Sequence, residues 1–307
     1  MLRDAKDALF IVLGVFAAIY IAALVTGIAR SRRAPRPADD GKPDVPGVAT
    51  GFVTNFFDTL GIGSFATTTS MFRYWRLVPD ERIPGTLNVG HTLPSIAQAY
   101  IYTRIVPVES RTLILMIGAA VLGAWLGAGV VAGWPRRKIQ IGMGCALFGA
   151  ASLMLLGQLH LVPAGGDMLA LGGARLATAV SVNFLLGALM TLGIGLYAPC
   201  MILVSLLGMN PTAAFPIMMG SCAFLMPVAS ARFVREHSYH LGASLGLLFG
   251  GIPAVLIAAF IVKSLPLAAV RWLVVGVVVY TATALLRTAR AEAVLGASDR
   301  GPWTVEA

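Results

Sequence analysis

The chain alternates long apolar runs with short connectors that hold most of its charge. Ala8–Ala29, Thr112–Trp134 and Leu241–Val262 each come close to the roughly 20 apolar residues that carry a helix across a bilayer. Two further runs are interrupted by the same Gly-Ile-Gly triplet, at 61–63 and at 193–195. The pattern predicts about seven to nine membrane segments and little extramembrane mass. The first half reads as an interrupted segment over 52–76 and spans over 84–103, 112–134 and 138–157. The second half reads as an interrupted segment over 176–208 and spans over 213–231, 241–262 and 267–287. A straight helix over 176–208 would reach about 50 Å through a hydrocarbon core of about 30 Å, so each interrupted segment is expected to be broken or re-entrant.

Composition agrees with a lipid solvent. Hydrophobic residues make up 57% of the 307 and charged ones only 12%, too few to cover a water-soluble fold of this size. A soluble enzyme is excluded, and the lipid bilayer is the first partner. The net charge of +9 sits in short loops at helix ends, where the positive-inside bias places it, and calls for no nucleic acid. Cys145, Cys200 and Cys222 lie in apolar runs without a C-x-x-C pair, so no metal, cofactor or disulfide framework is expected. Ala8–Ala29 is too long for a signal core and is followed by Arg30, Arg32 and Arg33, which reads as an uncleaved anchor.

Sliding the chain against itself by 132 residues places Thr59-Leu60-Gly61-Ile62-Gly63 on Thr191-Leu192-Gly193-Ile194-Gly195. The same offset pairs Pro79 with Pro211, Pro84 with Pro216, Leu93 with Leu225, Gly118 with Gly250 and Gly144 with Gly276. One offset without a gap indicates duplication. The expected organisation is an anchor and basic linker over 1–47, repeat 1 over 48–157, a connection over 158–177, repeat 2 over 178–288 and a polar tail over 289–307.

Charge counting bears on how the interrupted segments run. If both return to the side they entered, one face collects Arg30, Arg32, Arg33, Arg36, Lys42, Arg73, Arg76, Arg82, Arg136, Arg137, Lys138, Arg232, Arg235, Arg287 and Arg290. The opposite face keeps Arg104, Arg111, Arg175, Lys263 and Arg271, with Arg3 and Lys6 near the N-terminus. That arrangement satisfies the positive-inside rule better than two full crossings and leaves three true spans per half. The expected fold is therefore an all-α polytopic bundle of two inverted repeats with broken Gly-x-Gly segments, plus the N-terminal anchor helix.

The Leu-Gly-Ile-Gly turns at 60–63 and 192–195, Pro84 with Gly85-Thr86, and the basic loops at 104 and 232–237 resemble the TauE/SafE sulfite-exporter family over roughly 48–157 and 178–288. On this resemblance Ala8–Ala29 and its linker fall outside the matching region. The resemblance implies export of small anions, sulfite or organosulfonates such as sulfoacetate, across a cytoplasmic membrane.

The residues themselves suit an anion. A helix restarting after Gly61-Ile62-Gly63 presents free N–H groups and the positive end of its dipole, so Gly61, Gly63, Ser64, Thr67, Thr68 and Thr69 are candidate contacts. Gly193, Gly195 and Tyr197 would form the second half of the cradle. Asn88, His91 and Thr92 follow Pro84, and Gly220, Ser221 and Cys222 follow Pro216. Asp58 is the one acidic residue inside an apolar segment and a candidate for coupling to protons, with His91 as a possible relay and Met190 at the matching position. Gly242, Gly246 and Gly250, like Gly123 and Gly127, form small-residue stripes suited to helix packing. No phosphate-binding loop is present, so transport would be secondary or passive. Two other classes stay open at this point: an intramembrane serine hydrolase using Ser64 and His91, and a non-transporting scaffold. A homo-oligomer is compatible with either transport or scaffolding.

Overall fold

The computed structural model describes residues 2–33, 42–131, 134–161, 166–191 and 196–261, with scattered positions between 272 and 290. The helices are α1 (Leu2–Arg33), α2 (Val45–Thr59), α3 (Ser64–Trp75), α4 (Ile83–Ile105), α5 (Ser110–Val131), α6 (Arg136–Gln158), α7 (Gly173–Met190), α8 (Tyr197–Leu206), α9 (Ala214–Arg235) and α10 (Leu241–Ile261). Short 3-10 turns at Asp80–Arg82 and Pro211–Ala213 lead into α4 and α9. Among the described residues there is no strand beyond one isolated bridge, Met168 to Met209. The last predicted span, 267–287, lies largely outside the described residues.

Six of these helices, α1, α5, α6, α7, α9 and α10, are long and apolar enough to cross a bilayer. α4 forms over the predicted 84–103 but is too polar to join them. Its Thr86, Asn88, His91, Thr92, Ser95 and Gln98 are all buried. A helix this polar is stable only when other helices surround it, and α4 packs against α2, α3, α9 and α10.

Local chemistry explains the first break. Asp44 caps α2 by accepting from the Gly47 N–H at 2.9 Å. The helix ends at Thr59, and the chain turns through Gly61 at φ +83° and Gly63 at φ +87°, a region that glycine enters without steric penalty. α3 then starts at Ser64. In the second half α7 ends at Met190 and α8 begins at Tyr197. The intervening Gly193 and Gly195 lie outside the described residues. The arms are unequal: α7 alone can span, whereas α2 has 15 residues.

The contacts fix helix directions. α2 runs parallel to α10, with Gly47 against Gly246, Gly51 against Leu247 and Asn55 against Gly251. α7 runs parallel to α5, with Asn183 bonded to the Met116 carbonyl, Gly187 on Ala120 and Gly127 near Thr191. α4 and α9 cross antiparallel at the centre, pairing Gly85 with Phe233, Thr92 with Ser230 and Tyr102 with Phe215. The two parallel pairs correspond at the offset of 132: α2 with α10 matches α7 with α5. The predicted glycine stripes are the contact surfaces, Gly246 and Gly250 toward α2 and Gly123 and Gly127 toward α7.

Following the ends shows where the broken segments go. α2 starts beside the start of α10, which is bonded to the start of α4 through Ser244 and Thr86. α3 finishes near that same end, where Arg73 pairs with Asp80 at 2.7 Å just before α4. In the second half the residues before α7 are tied to the start of α5 by the Leu171 N–H on Thr112, at 3.0 Å. The chain leaving α8 comes back to that end, where the Asn210 N–H bonds the Met168 carbonyl at 2.8 Å. The start of α2 and the end of α3 thus lie at one end of the bundle, and the start of α7 and the residues after α8 at the other. Arg73, Arg76, Arg82, Arg137, Lys138, Arg232 and Arg235 lie on the segments gathered at the first end; Arg104, Arg111 and Arg175 lie at the other.

α1 docks on α4 and α9. Tyr20, fully buried, donates to the Val89 carbonyl at 2.6 Å. Tyr20→Phe is expected to lose about 1 kcal/mol, the net worth of one buried hydrogen bond, and to lower the thermal midpoint of detergent-solubilised protein by a few degrees. An unchanged midpoint would mean that α1 is held by apolar packing alone.

Candidate functional site

Residues flanking the two Gly-Ile-Gly triplets line a small cavity: Asp58, Gly63, Ser64, Phe65, Ser95, Met190, Leu196, Tyr197 and Cys222. At the repeat offset of 132, Asp58 matches Met190, Ser64 matches Leu196 and Phe65 matches Tyr197. Both members of all three pairs face the cavity, so it sits where the halves are related to each other. The paired positions differ in chemistry: a carboxyl, a hydroxyl and a phenyl ring from the first half, a thioether, an isobutyl group and a phenol from the second.

Among the described residues Asp58 is the one charged group in the lining, and only 2% of its surface is exposed. Its Oδ1 accepts from the Ser64 N–H, the first N–H of α3. Its Oδ2 accepts from Gln98 Nε2 at 2.8 Å and faces the Tyr197 hydroxyl at 3.2 Å. Gln98 gives its other amide proton to Thr59 Oγ1 at 3.0 Å, and its Oε1 accepts from Tyr197 at 2.9 Å. Tyr102 donates to the Thr59 carbonyl at 2.6 Å, holding the end of α2 against α4. The network joins α2, α3, α4 and α8, and through Tyr197 it crosses from one half to the other.

Of the residues singled out in the sequence, Asp58, Gly63, Ser64, Tyr197 and Cys222 come together here. Gly61 supplies the turn and abuts the Phe215 ring. Thr67 bonds the carbonyls of Gly63 and Ser64 within its own helix, and Thr69 Oγ1 has no hydrogen-bond partner. Asn88 donates to the Pro84 carbonyl, Thr92 meets Ser230, and Ser221 accepts from Asn183 between α7 and α9. None of these residues lines the cavity.

His91 is held elsewhere too. Its Nε2 lies 3.0 Å from Thr68 Oγ1 and its Nδ1 3.0 Å from Asn55 Oδ1, so it ties α4 to α2 and α3. Both ring nitrogens are engaged, and it contacts neither Ser64 nor Asp58 by a hydrogen bond among those described. A Ser64–His91 nucleophile pair and a direct proton relay from Asp58 to His91 both lack their connecting bond.

Gln98, Phe65 and Tyr102 were missed by sequence reasoning. A signal existed: His91, Ser95, Gln98 and Tyr102 recur at three- and four-residue intervals and form one polar stripe on a buried helix.

A bundle of apolar helices with two broken segments converging on an interior polar cavity is a multi-pass membrane protein. The model of the family described as "Sulfite exporter TauE/SafE" matches residues 2–154, and the chain belongs to this family, whose members are transporters. The match begins at residue 2 and so takes in α1, which the motif resemblance had left outside. No curated protein and no solved structure matches the chain.

Proposed function

We propose that the protein exports small oxyanions, sulfite or organosulfonates, across the cytoplasmic membrane, with transport coupled to protons through Asp58. In this reading the broken segments are re-entrant loops entering the membrane from opposite faces, and the basic end of the bundle is cytoplasmic. The observation that carries it is the interior cavity between the two breaks, where a lone buried carboxyl meets the N-terminus of α3. Main-chain N–H groups and a helix dipole suit an oxyanion, and a carboxyl that can take up a proton supplies the coupling.

The test is flux of sulfite and sulfoacetate in proteoliposomes, with and without a pH gradient. The parent protein is expected to carry both anions, and Asp58→Asn to lose the dependence on the gradient. Gradient-driven flux retained by Asp58→Asn would remove the coupling role. Absence of flux in well-folded parent protein would sink the substrate assignment.

A further inference from the structure

We infer that Asp58 is a tethered rival of the transported anion: its carboxylate occupies the α3 N-terminus that the anion needs, and one proton bound to Asp58 releases that position. The inference rests on the anion-transport reading above. A free helix N-terminus would attract an anion, but here the first N–H of α3 already donates to Asp58 Oδ1. The protein's own carboxylate sits where an external oxyanion would be received, and the two compete for the same donor. Two negative charges at this depth would also repel each other, and among the described residues no Lys or Arg lines the cavity to offset them.

A second observation concerns hydrogen count. Tyr197 has one hydroxyl proton and two acceptors within reach, Gln98 Oε1 at 2.9 Å and Asp58 Oδ2 at 3.2 Å. Both amide protons of Gln98 are already used, on Asp58 Oδ2 and on Thr59 Oγ1. With Asp58 ionised, one of the two Tyr197 contacts lacks a hydrogen. With a proton on Oδ2, Asp58 donates to the Tyr197 oxygen, Tyr197 donates to Gln98, and every contact is filled. The network therefore has a ready place for one proton on Asp58. The other titratable groups facing Asp58 are Tyr197 from α8, Tyr102 from α4 and Cys222 from α9, with His91 of α4 turned toward Asn55 and Thr68; α3 presents Ser64 and Phe65, which carry no titratable group. Tyr197 shares both the cavity and the unfilled contact, and Asp58 is the acidic member of that pair.

Protonation turns the Oδ1 bond from a charge-assisted one into a neutral one of roughly half the strength. An arriving anion then takes the α3 N–H, and the charge-assisted bond to Asp58 returns only when the anion and the proton have both left. One proton accordingly moves with each anion, electroneutrally for a monoanion.

The probe is methanesulfonate, whose charge is constant over the range used, with binding measured by calorimetry on purified full-length protein at about pH 6 and about pH 8. For the parent, affinity is expected to weaken tenfold or more between the two. Calorimetry in buffers of different ionisation enthalpy should show about one proton taken up per anion bound at the higher pH. Asp58→Asn should bind with the same affinity at both. Binding to the parent without proton uptake overturns the rivalry and leaves the anion reading standing. The same pH dependence in Asp58→Asn overturns it as well. No binding to either protein at either pH fails the anion reading itself, and the inference with it.

Discussion

Gly250→Leu is expected to prevent the bundle from assembling, whereas Gly118→Leu should be tolerated, although the two glycines occupy matching positions of the repeat. A Cβ at Gly250 would collide with the Val48 carbonyl oxygen and lie 2.7 Å from the Phe52 N. Both are main-chain atoms of α2, which cannot move aside without carrying the helix with them. A Cβ at Gly118 would meet nothing within 4 Å. Overpacking a rigid contact costs about 3 kcal/mol, and forcing α2 off α10 would also displace Asp58 at the far end of α2. Size-exclusion profile and thermal midpoint in detergent are the readouts. Gly250→Leu should give aggregated protein or a midpoint lower by many degrees, and Gly118→Leu a midpoint close to that of the parent. Equal behaviour of the two variants would mean that α2 and α10 are not packed through this stripe.

The contrast also shows what the sequence made legible. The apolar runs, the glycines that turn the chain and the glycine stripes each follow from local rules, and the helices, the turn at Gly61 and Gly63 and the close contacts of Gly123, Gly127, Gly246 and Gly250 agree with them. Matching letters did not reveal which member of a repeat pair faces a neighbour, because that depends on packing between distant segments. The same limit applied to the site. Asp58 stood out because a lone carboxyl in an apolar run is costly, and Ser64 and Tyr197 because they follow the breaks. Gln98 did not, since an amide in a long helix has many ordinary uses. His91 read as a possible proton relay for Asp58, yet Asn55 and Thr68 hold both its nitrogens. The expected open helix N-terminus is filled by Asp58 from six residues upstream, a contact that only the turn geometry of Gly61 and Gly63 brings about.

Gln98→Leu should then separate a positioning role from a merely structural one. Leucine has nearly the volume of glutamine, so packing is kept while Gln98's hydrogen bonds to Asp58, Thr59 and Tyr197 are lost. The stability cost is about 1–3 kcal/mol for the buried groups left unpaired, and the protein should still fold. Flux should fall much further, tenfold or more, for a specific reason. With Gln98 Oε1 gone, the single Tyr197 proton has Asp58 Oδ2 as its remaining acceptor. That bond is charge-assisted and holds Asp58 ionised, which disfavours the protonated state that the anion requires. Adding Tyr197→Phe to Gln98→Leu removes this donor too and leaves Asp58 only the groups of Ser64, so the double variant should recover part of the flux while becoming no more stable. Two merely structural losses would instead add, leaving the double variant slower than either single one. Gradient-driven uptake in proteoliposomes, compared across the parent, both single variants and the double, decides between these outcomes. Recovery in the double variant places Gln98 and Tyr197 in control of the Asp58 proton, and a further decline assigns them to packing.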